Sequence, residues 1–404
     1  MVDAHRTRIQ AHRVVVTDAA LADGTSEQLH RGVTLLVDGA TIAGLWLDGD
    51  GPDPHDLDAV VIDGSGATII PGMVDSHAHL SMPGGARWID RGFDPADDLL
   101  AVGEDNGELM VRAGIRWARD VGAPRGRGRD GRERALSLVL RDRWAGQVDR
   151  PYVRAAGTWI SRTGSLPHGL AVEVEHAADL VPAVTAQLDD GADLVKLYLD
   201  GPDPDAAPFS VAECAAAVAA AHERGAKVAA HSGNLAGARV AAEAGVDSVE
   251  HGFSLDADAA AALAANHVTL VSTLAVLESW QTFGATSRVE RFTGPEGIAR
   301  IAERRERAHE SVRLAHRAGV AIAAGSDFGG GSLRANQLAW EVEALVRAGI
   351  EPHVALAAAT WRGGELMGDA DAGRLGLGGP AHFSLVHGDP LSDPSALWRV
   401  WLTR

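Results

Sequence analysis

The chain has one cysteine, Cys214, so it can form no intrachain disulfide and carries no sign of an oxidising compartment. It has no apolar run long enough to span a bilayer, so we expect no membrane partner. Met1 to Gln10 are polar and charged and lack the apolar stretch of a secretory leader. We therefore expect a cytoplasmic protein. Positive charge is the minority: 37 Lys and Arg stand against 55 Asp and Glu, a net charge of −18. That field repels phosphate backbones, which argues against nucleic acid. The small-molecule substrate expected here is inferred from the strand-end polar residues, not from charge. No repeat of fixed period is present. No G-x-G-x-x-G turn follows the first strand-like run, which weakens a dinucleotide-binding open sheet.

What is present is a long chain, 404 residues, with 46% hydrophobic residues. It is large enough for a barrel with a small satellite domain. The N-terminal stretch reads as β-structure. His12–Thr17 and Gly32–Val37 are β-branched runs, and Asp38-Gly39 before Ile42 is a hairpin turn signal. Ala59–Asp63 and Thr68–Ile70 continue the β texture beyond a loop rich in Gly, Pro and Asp. From about residue 71, short apolar runs alternate with long helical stretches such as Val211–Arg224, Leu235–Ala244 and Ile298–Ala318. The strand candidates are Gly72–His77, Gly114–Val121, Tyr152–Gly157, Asp193–Leu197, Lys227–His231, Ser248–His251, Val268–Thr273 and Val320–Ser326. Strands separated by helices predict a parallel (β/α)8 barrel over 71–371. Further strands are expected at His382–His387 and Trp398–Leu402. With β-structure at both ends, segments 1–70 and 372–404 are expected to build one small composite β-sandwich.

The polar residues within these strands carry the chemistry. His77-Ala78-His79 places two imidazoles at i and i+2, on one face of a strand, where both can reach one metal. With 17 histidines in the chain, such a pair alone is weak. The others add weight by position. His231, His251 and Asp327 each close an apolar strand-like run, and Lys196 lies between Val195 and Leu197. Barrel active sites are built from those C-terminal strand ends. A charged residue there is costly unless it is paired or metal-bound.

The run Pro71-Gly72-Met73-Val74-Asp75-Ser76-His77-Ala78-His79 resembles the first barrel strand of the amidohydrolase superfamily. Lys196, His231, His251 and Asp327 match, in order, the superfamily's remaining metal ligands. Gly245–Gly252, Gly325-Ser326-Asp327, and Gly349-Ile350-Glu351-Pro352 followed by Ala357–Thr360 resemble the branch related to imidazolonepropionase and metal-dependent prolidases. There are departures. Thr163-Gly164-Ser165 runs on to Pro167-His168-Gly169 where a Thr-Gly-Gly-His-Gly loop is usual. Ala381-His382-Phe383-Ser384-Leu385-Val386 and Trp361-Arg362-Gly363 also depart from the pattern. These bear on the substrate, since none is a metal ligand.

The resemblance implies two divalent metals, with zinc expected and manganese or cobalt as alternatives. It implies that Lys196 is carbamylated by CO2 into a bridging anion. One metal would take His77, His79, Lys196 and Asp327, and the other Lys196, His231 and His251. The pair would share and acidify a water. Asp327 would shuttle its proton to the leaving nitrogen of an amide, peptide or lactam. His168, Tyr198 and Asn234 are the candidate substrate contacts. A heterocycle deaminase is the main rival. It would bind one metal, lack the bridging Lys and carry Glu at position 234, where this chain has Asn. A lactone or ester hydrolase, or a non-catalytic scaffold on the same barrel, are the other readings. A homo-oligomer is expected as the common state of enzymes.

Overall fold

The computed structural model describes residues 12–128 and 131–404. Its architecture is mixed α/β, and three sheets organise it. The first joins both ends of the chain. Its seven strands include Arg13–Leu21, His30–Asp38, Thr41–Trp46, Val60–Asp63 and Ala67–Pro71 from the N-terminal part. Phe383–His387 and Val400–Thr403 come from the C-terminal part. Phe383–His387 runs antiparallel to Ala67–Pro71, with Phe383 opposite Pro71 and His387 opposite Ala67. The hairpin expected at Asp38-Gly39 is present. Asp38 pairs with Thr41, and Gly39 takes a left-handed φ of 59° in the two-residue turn. The alternating residues Val33, Leu35 and Val37 face a separate apolar cluster with Val16, Ile69, Phe383 and Leu385. The last strand begins later than the sequence suggests. Pro394–Trp398 forms a 3-10 turn, and the strand starts at Val400. Pro394 lacks an N–H for a ladder but suits a first helical turn.

Apart from a short antiparallel pair, Arg125–Arg127 with Glu133–Ala135, the intervening strands are parallel, and helices lie between most of them. Met73–Ala78, Ile115–Asp120 and Tyr152–Ala155 form a three-stranded sheet. A seven-stranded sheet follows the order Val172–Val174, Ile160–Arg162, Leu194–Tyr198, Lys227–Ser232, Ser248–His251, Thr269–Ser272, Ile322–Ala324. The sequence reading expects one array, whereas the ladders divide into two sheets and include the short strands Ile160–Arg162 and Val172–Val174. At one seam Asp193 N–H donates to Ala155 O at 2.8 Å. At the other, Asp327 N–H donates to His77 O at 2.8 Å and His79 N–H to Phe328 O at 3.0 Å.

Strand alternation decides what faces where. Val195 and Leu197 enter the main core with Val228, Ala230 and Val249, which leaves Lys196 on the opposite face. Helix Val211–His222 shows how the outer layer is held. Ser210 and Glu213 form a reciprocal cap, and Cys214, Ala217, Val218 and Ala221 bury one stripe. Among the described residues no helix is long and apolar enough to cross a membrane.

Candidate metal centre

His77 and His79 stand at the C-terminal end of Met73–Ala78, and both are buried. Their inner nitrogens meet one carboxylate: His77 Nε2 lies 3.4 Å and His79 Nε2 3.2 Å from Asp327 Oδ1. Each ring is held from behind. His77 Nδ1 lies 2.7 Å from Glu250 Oε2, and His79 Nδ1 lies 2.7 Å from Gly122 O. A carboxylate and a carbonyl only accept, so both Nδ1 atoms carry a proton, which leaves the two Nε2 atoms, facing Asp327, as the ones that can offer a lone pair to a cation. Among the described residues, His77, His79 and Asp327 offer donor atoms all within 4.8 Å of one another.

The backbone around this triad is shaped to it. Asp75 Oδ1 accepts from Ser326 N–H at 2.9 Å, and Asp75 Oδ2 from Ser326 Oγ at 2.5 Å, which ties the first strand to the Asp327 loop. Asp327 adopts a left-handed φ of 50°. A Cβ on Gly325 would lie 2.3 Å from His77 Cβ, and one on Gly330 would lie 2.0 Å from His79 Cδ2. Both positions therefore require glycine for close approach.

The other candidates extend the same arc. His251 and His77 have ring centroids 4.6 Å apart, as do His251 and His231. His251 Nδ1 is paired with Thr273 Oγ1 at 2.8 Å. His231 is only half-buried. Its Nε2 lies 3.2 Å from Asp200 Oδ2, and its ring stacks on Tyr198 with centroids 4.0 Å apart. Lys196 is buried in this arc, and its Nζ makes no hydrogen bond among the described residues. Burial, helped by Arg119 and opposed by Glu250 and Asp327, brings the Lys196 amine down to about 8. Burial disfavours the Asp327 anion, but His77, His79 and His251 outweigh it and hold the carboxyl well below its usual range.

Two inward imidazoles, a shared carboxylate and an orphaned buried amine form a donor set suited to divalent cations. The structure brings His77, His79 and Asp327 into one tight set, with His251, His231 and Lys196 around it. It does not gather the three substrate candidates equally. Tyr198 touches His231. Asn234 bonds through its backbone, its N–H to Asp200 Oδ1 at 3.2 Å. His168 is exposed and pairs with Glu173 at 3.0 Å.

Sequence reasoning missed Glu250, Arg119 and Asp200. Glu250 accepts from Arg119 and from Ser248 Oγ while it holds His77. Burial opposes its ionisation, yet Arg119, Lys196 and His77 keep it well below the usual carboxylate range. Glu250 and His251 are neighbours, so simple alternation would send them to opposite faces. His251 escapes that rule through a left-handed φ of 71°, and both residues serve the site. Arg119 also donates to Ser76 O at 2.7 Å and Ser248 Oγ at 2.9 Å, so it fastens three strands behind the histidines.

A model of the amidohydrolase family matches residues 68–402. The chain belongs to this family. An uncharacterized protein of Mycobacterium tuberculosis is 31% identical over 406 residues, which cover 98% of this chain and 95% of that one. Among solved structures, a Xaa-Pro dipeptidase with methionine bound in its active site superposes with a TM-score of 0.80 at 24% identity, covering 97% of this chain and 99% of its own. The A. niger ochratoxinase gives a TM-score of 0.77 at 21% identity, covering 97% and 94%. At these identities the structural likeness speaks for the fold.

Proposed function

We propose that the chain is a binuclear metal-dependent hydrolase that cleaves an amide-type C–N bond. The observation that carries this reading is the convergence of His77 Nε2, His79 Nε2 and Asp327 Oδ1, with the outer nitrogen of each ring tied to an acceptor. His77, His79 and Asp327 would hold one cation, His231 and His251 the other, and carbamylated Lys196 would bridge them. When bound, such a pair acidifies a water and polarises a carbonyl oxygen. Zinc suits this imidazole and carboxylate set.

The chain's own residues supply the rest. Only a neutral amine adds to CO2, and burial brings Lys196 toward neutrality. Its nitrogen forms a bond to the CO2 carbon, one ammonia-type proton leaves to solvent, and the product is an N-carboxylate. Asp327, held ionised by the histidines, takes a proton from water and returns it to the leaving nitrogen. Glu250 and Arg119 are positioning residues that keep His77 oriented. Tyr198 and Asn234 border the substrate space beside His231, and His168 reaches it only if its loop folds inward. Asn at position 234 and Lys at 196 favour amide hydrolysis over deamination.

The same reading covers the frame. We regard the parallel strands over 71–371 as a (β/α)8 wall, a view supported by the hydrogen bonds at both seams. Segments 1–70 and 372–404 would form the small domain, a view supported by their shared sheet. The test is metal analysis of the purified chain together with an amide-hydrolysis screen over N-acyl amino acids, X-Pro dipeptides, lactams and lactones. The expected result is two metals per chain and hydrolysis that chelator abolishes and metal restores. A metal-free chain with undiminished hydrolysis, or two bound metals with no hydrolysis across the screen, would overturn it.

A further inference from the structure

Helix Pro295–Arg317 carries a run of alternating charges, Glu303-Arg304-Arg305-Glu306-Arg307, that reads as a solvated face. One member does not behave that way. Arg304 turns its guanidinium inward over two aromatic rings, with Cζ 5.1 Å from the centroid of Phe253 and 5.9 Å from that of Trp280. A Cβ on Gly233 would meet an Arg304 Nη2 at 2.7 Å and Asp200 Oδ2 at 3.1 Å. The absent side chain of Gly233 therefore makes room for the guanidinium beside the loop that follows His231.

Burial disfavours this cation, and Asp200 and Tyr198 counter that. Yet Asp200 is already occupied. Its Oδ2 serves His231 Nε2 at 3.2 Å and Gly233 N–H at 2.9 Å, and its Oδ1 serves Asn234 N–H at 3.2 Å. Arg305, the next residue, is matched to Glu278 at 3.6 Å and Gln281 at 2.7 Å. Among the described residues Arg304 has no such carboxylate or amide partner; it packs on the two rings and against Gly233. A guanidinium offers five donors in a planar fork that matches a carboxylate. Held on aromatic faces and partly stripped of water, it binds such a group more strongly than a solvated arginine would. Tyr198 stacks on His231 on the same side.

We propose that Arg304 is a specificity residue that binds a carboxylate carried by the substrate, beside the His231 end of the centre. This rests on the hydrolase reading and deepens it. The substrates would be N-acyl amino acids or small peptides with a free C-terminal carboxylate, and the released fragment would be an amino acid. Neutral ureas, lactams and carbamates lack the group that Arg304 binds.

The test uses the metal-loaded full chain and matched probes: the N-acetyl derivatives of Ala, Leu, Phe and Pro, each as free acid and as primary amide. Calorimetry gives their affinities for the parent, Arg304→Gln and Arg304→Lys, with metal content and melting temperature measured on the same samples. Hydrogen bonds to a charged group contribute about 1.5–3 kcal/mol, so the best acid should bind the parent roughly 10- to 100-fold more tightly than its amide. Arg304→Gln should remove that preference at unchanged metal content and melting temperature. Arg304→Lys should keep part of it, as a point charge without the fork. Equal affinities for acid and amide, no binding of any probe, or a preference that survives in Arg304→Gln would overturn the anchor. A parent chain that binds no metal would overturn the hydrolase reading instead, and the acid-to-amide ratio would still report on Arg304.

Discussion

Asp327 sits between two imidazoles on a left-handed backbone, a conformation that a non-glycine residue holds only where its surroundings compensate. Its proposed duties, ligand and proton shuttle, separate in Asp327→Asn. The amide keeps an oxygen for the cation but cannot accept a proton. We expect most of the metal to remain and kcat to fall roughly 10²- to 10⁴-fold. Activity within a factor of two of the parent would end the shuttle role. Lys196 gives a second test at this scale. Lys196→Ala should lose at least one metal per chain, and Lys196→Glu should recover part of it through its carboxylate. Elemental analysis showing two metals in Lys196→Ala would defeat the bridge. Lys196 was legible in the sequence because it interrupts an apolar strand. Glu250 was not, because its inward placement beside His251 depends on a backbone angle. Arg304 was not, because its charge run looks like every solvated helix face, and only the aromatic rings beneath it set it apart.

Strand ends and the loops that leave them form the next scale. Gly330 follows the last parallel strand and lies against His79. Gly330→Ala should tilt that imidazole off its line to Asp327. The expected result is reduced metal occupancy with unchanged far-UV circular dichroism; full occupancy would show that the loop yields instead. Helix Leu338–Arg347 bears Glu341, whose oxygens accept from Ser272 Oγ at 2.6 Å and Ala275 N–H at 2.7 Å. Burial pushes the Glu341 carboxyl up to about 8. An unfolded Glu releases its proton near 4.3, so between those values the folded chain binds more protons than the unfolded one. Its contribution is thus present in full at low pH and is lost as pH rises toward 8. Glu341→Gln has no proton to lose, so its melting temperature should decline less than the parent's between pH 5 and 8. Parallel curves would refute this. At this scale the sequence located the main parallel strands within a few residues, because apolar runs flanked by helical stretches are unambiguous. It missed Ile160–Arg162 and Val172–Val174, which are too short for any periodicity to register. It also missed the division into two ladders, which depends on where hydrogen bonds lapse at strand ends.

Across the whole molecule, the centre links distant parts of the chain, from His77 to Asp327. A cation bound only by the folded state stabilises all of it by mass action. Chelator should therefore lower the parent's melting temperature substantially and that of His77→Ala or His231→Ala little. Equal shifts in all three would show that these residues do not hold the metal. The sheet that unites the chain ends was also foreseeable, since β-branched runs flank the helical middle on both sides. The strand-to-strand register was not, because it depends on pairings across most of the chain.

That shared sheet has a consequence for how the protein is made. Thr68 Oγ1 donates to Gly388 O, a partner 320 residues later in the chain. Ribosomes add about 5–20 residues per second, so the strand Ala67–Pro71 emerges roughly 15–60 s before the strand that will cover its edge. During that interval the unpaired edge of this mostly apolar strand is available to any neighbouring nascent chain. Slower translation lengthens the exposure, and binding by a chaperone shortens it, so soluble yield should depend on synthesis rate far more than the stability of the finished fold would suggest.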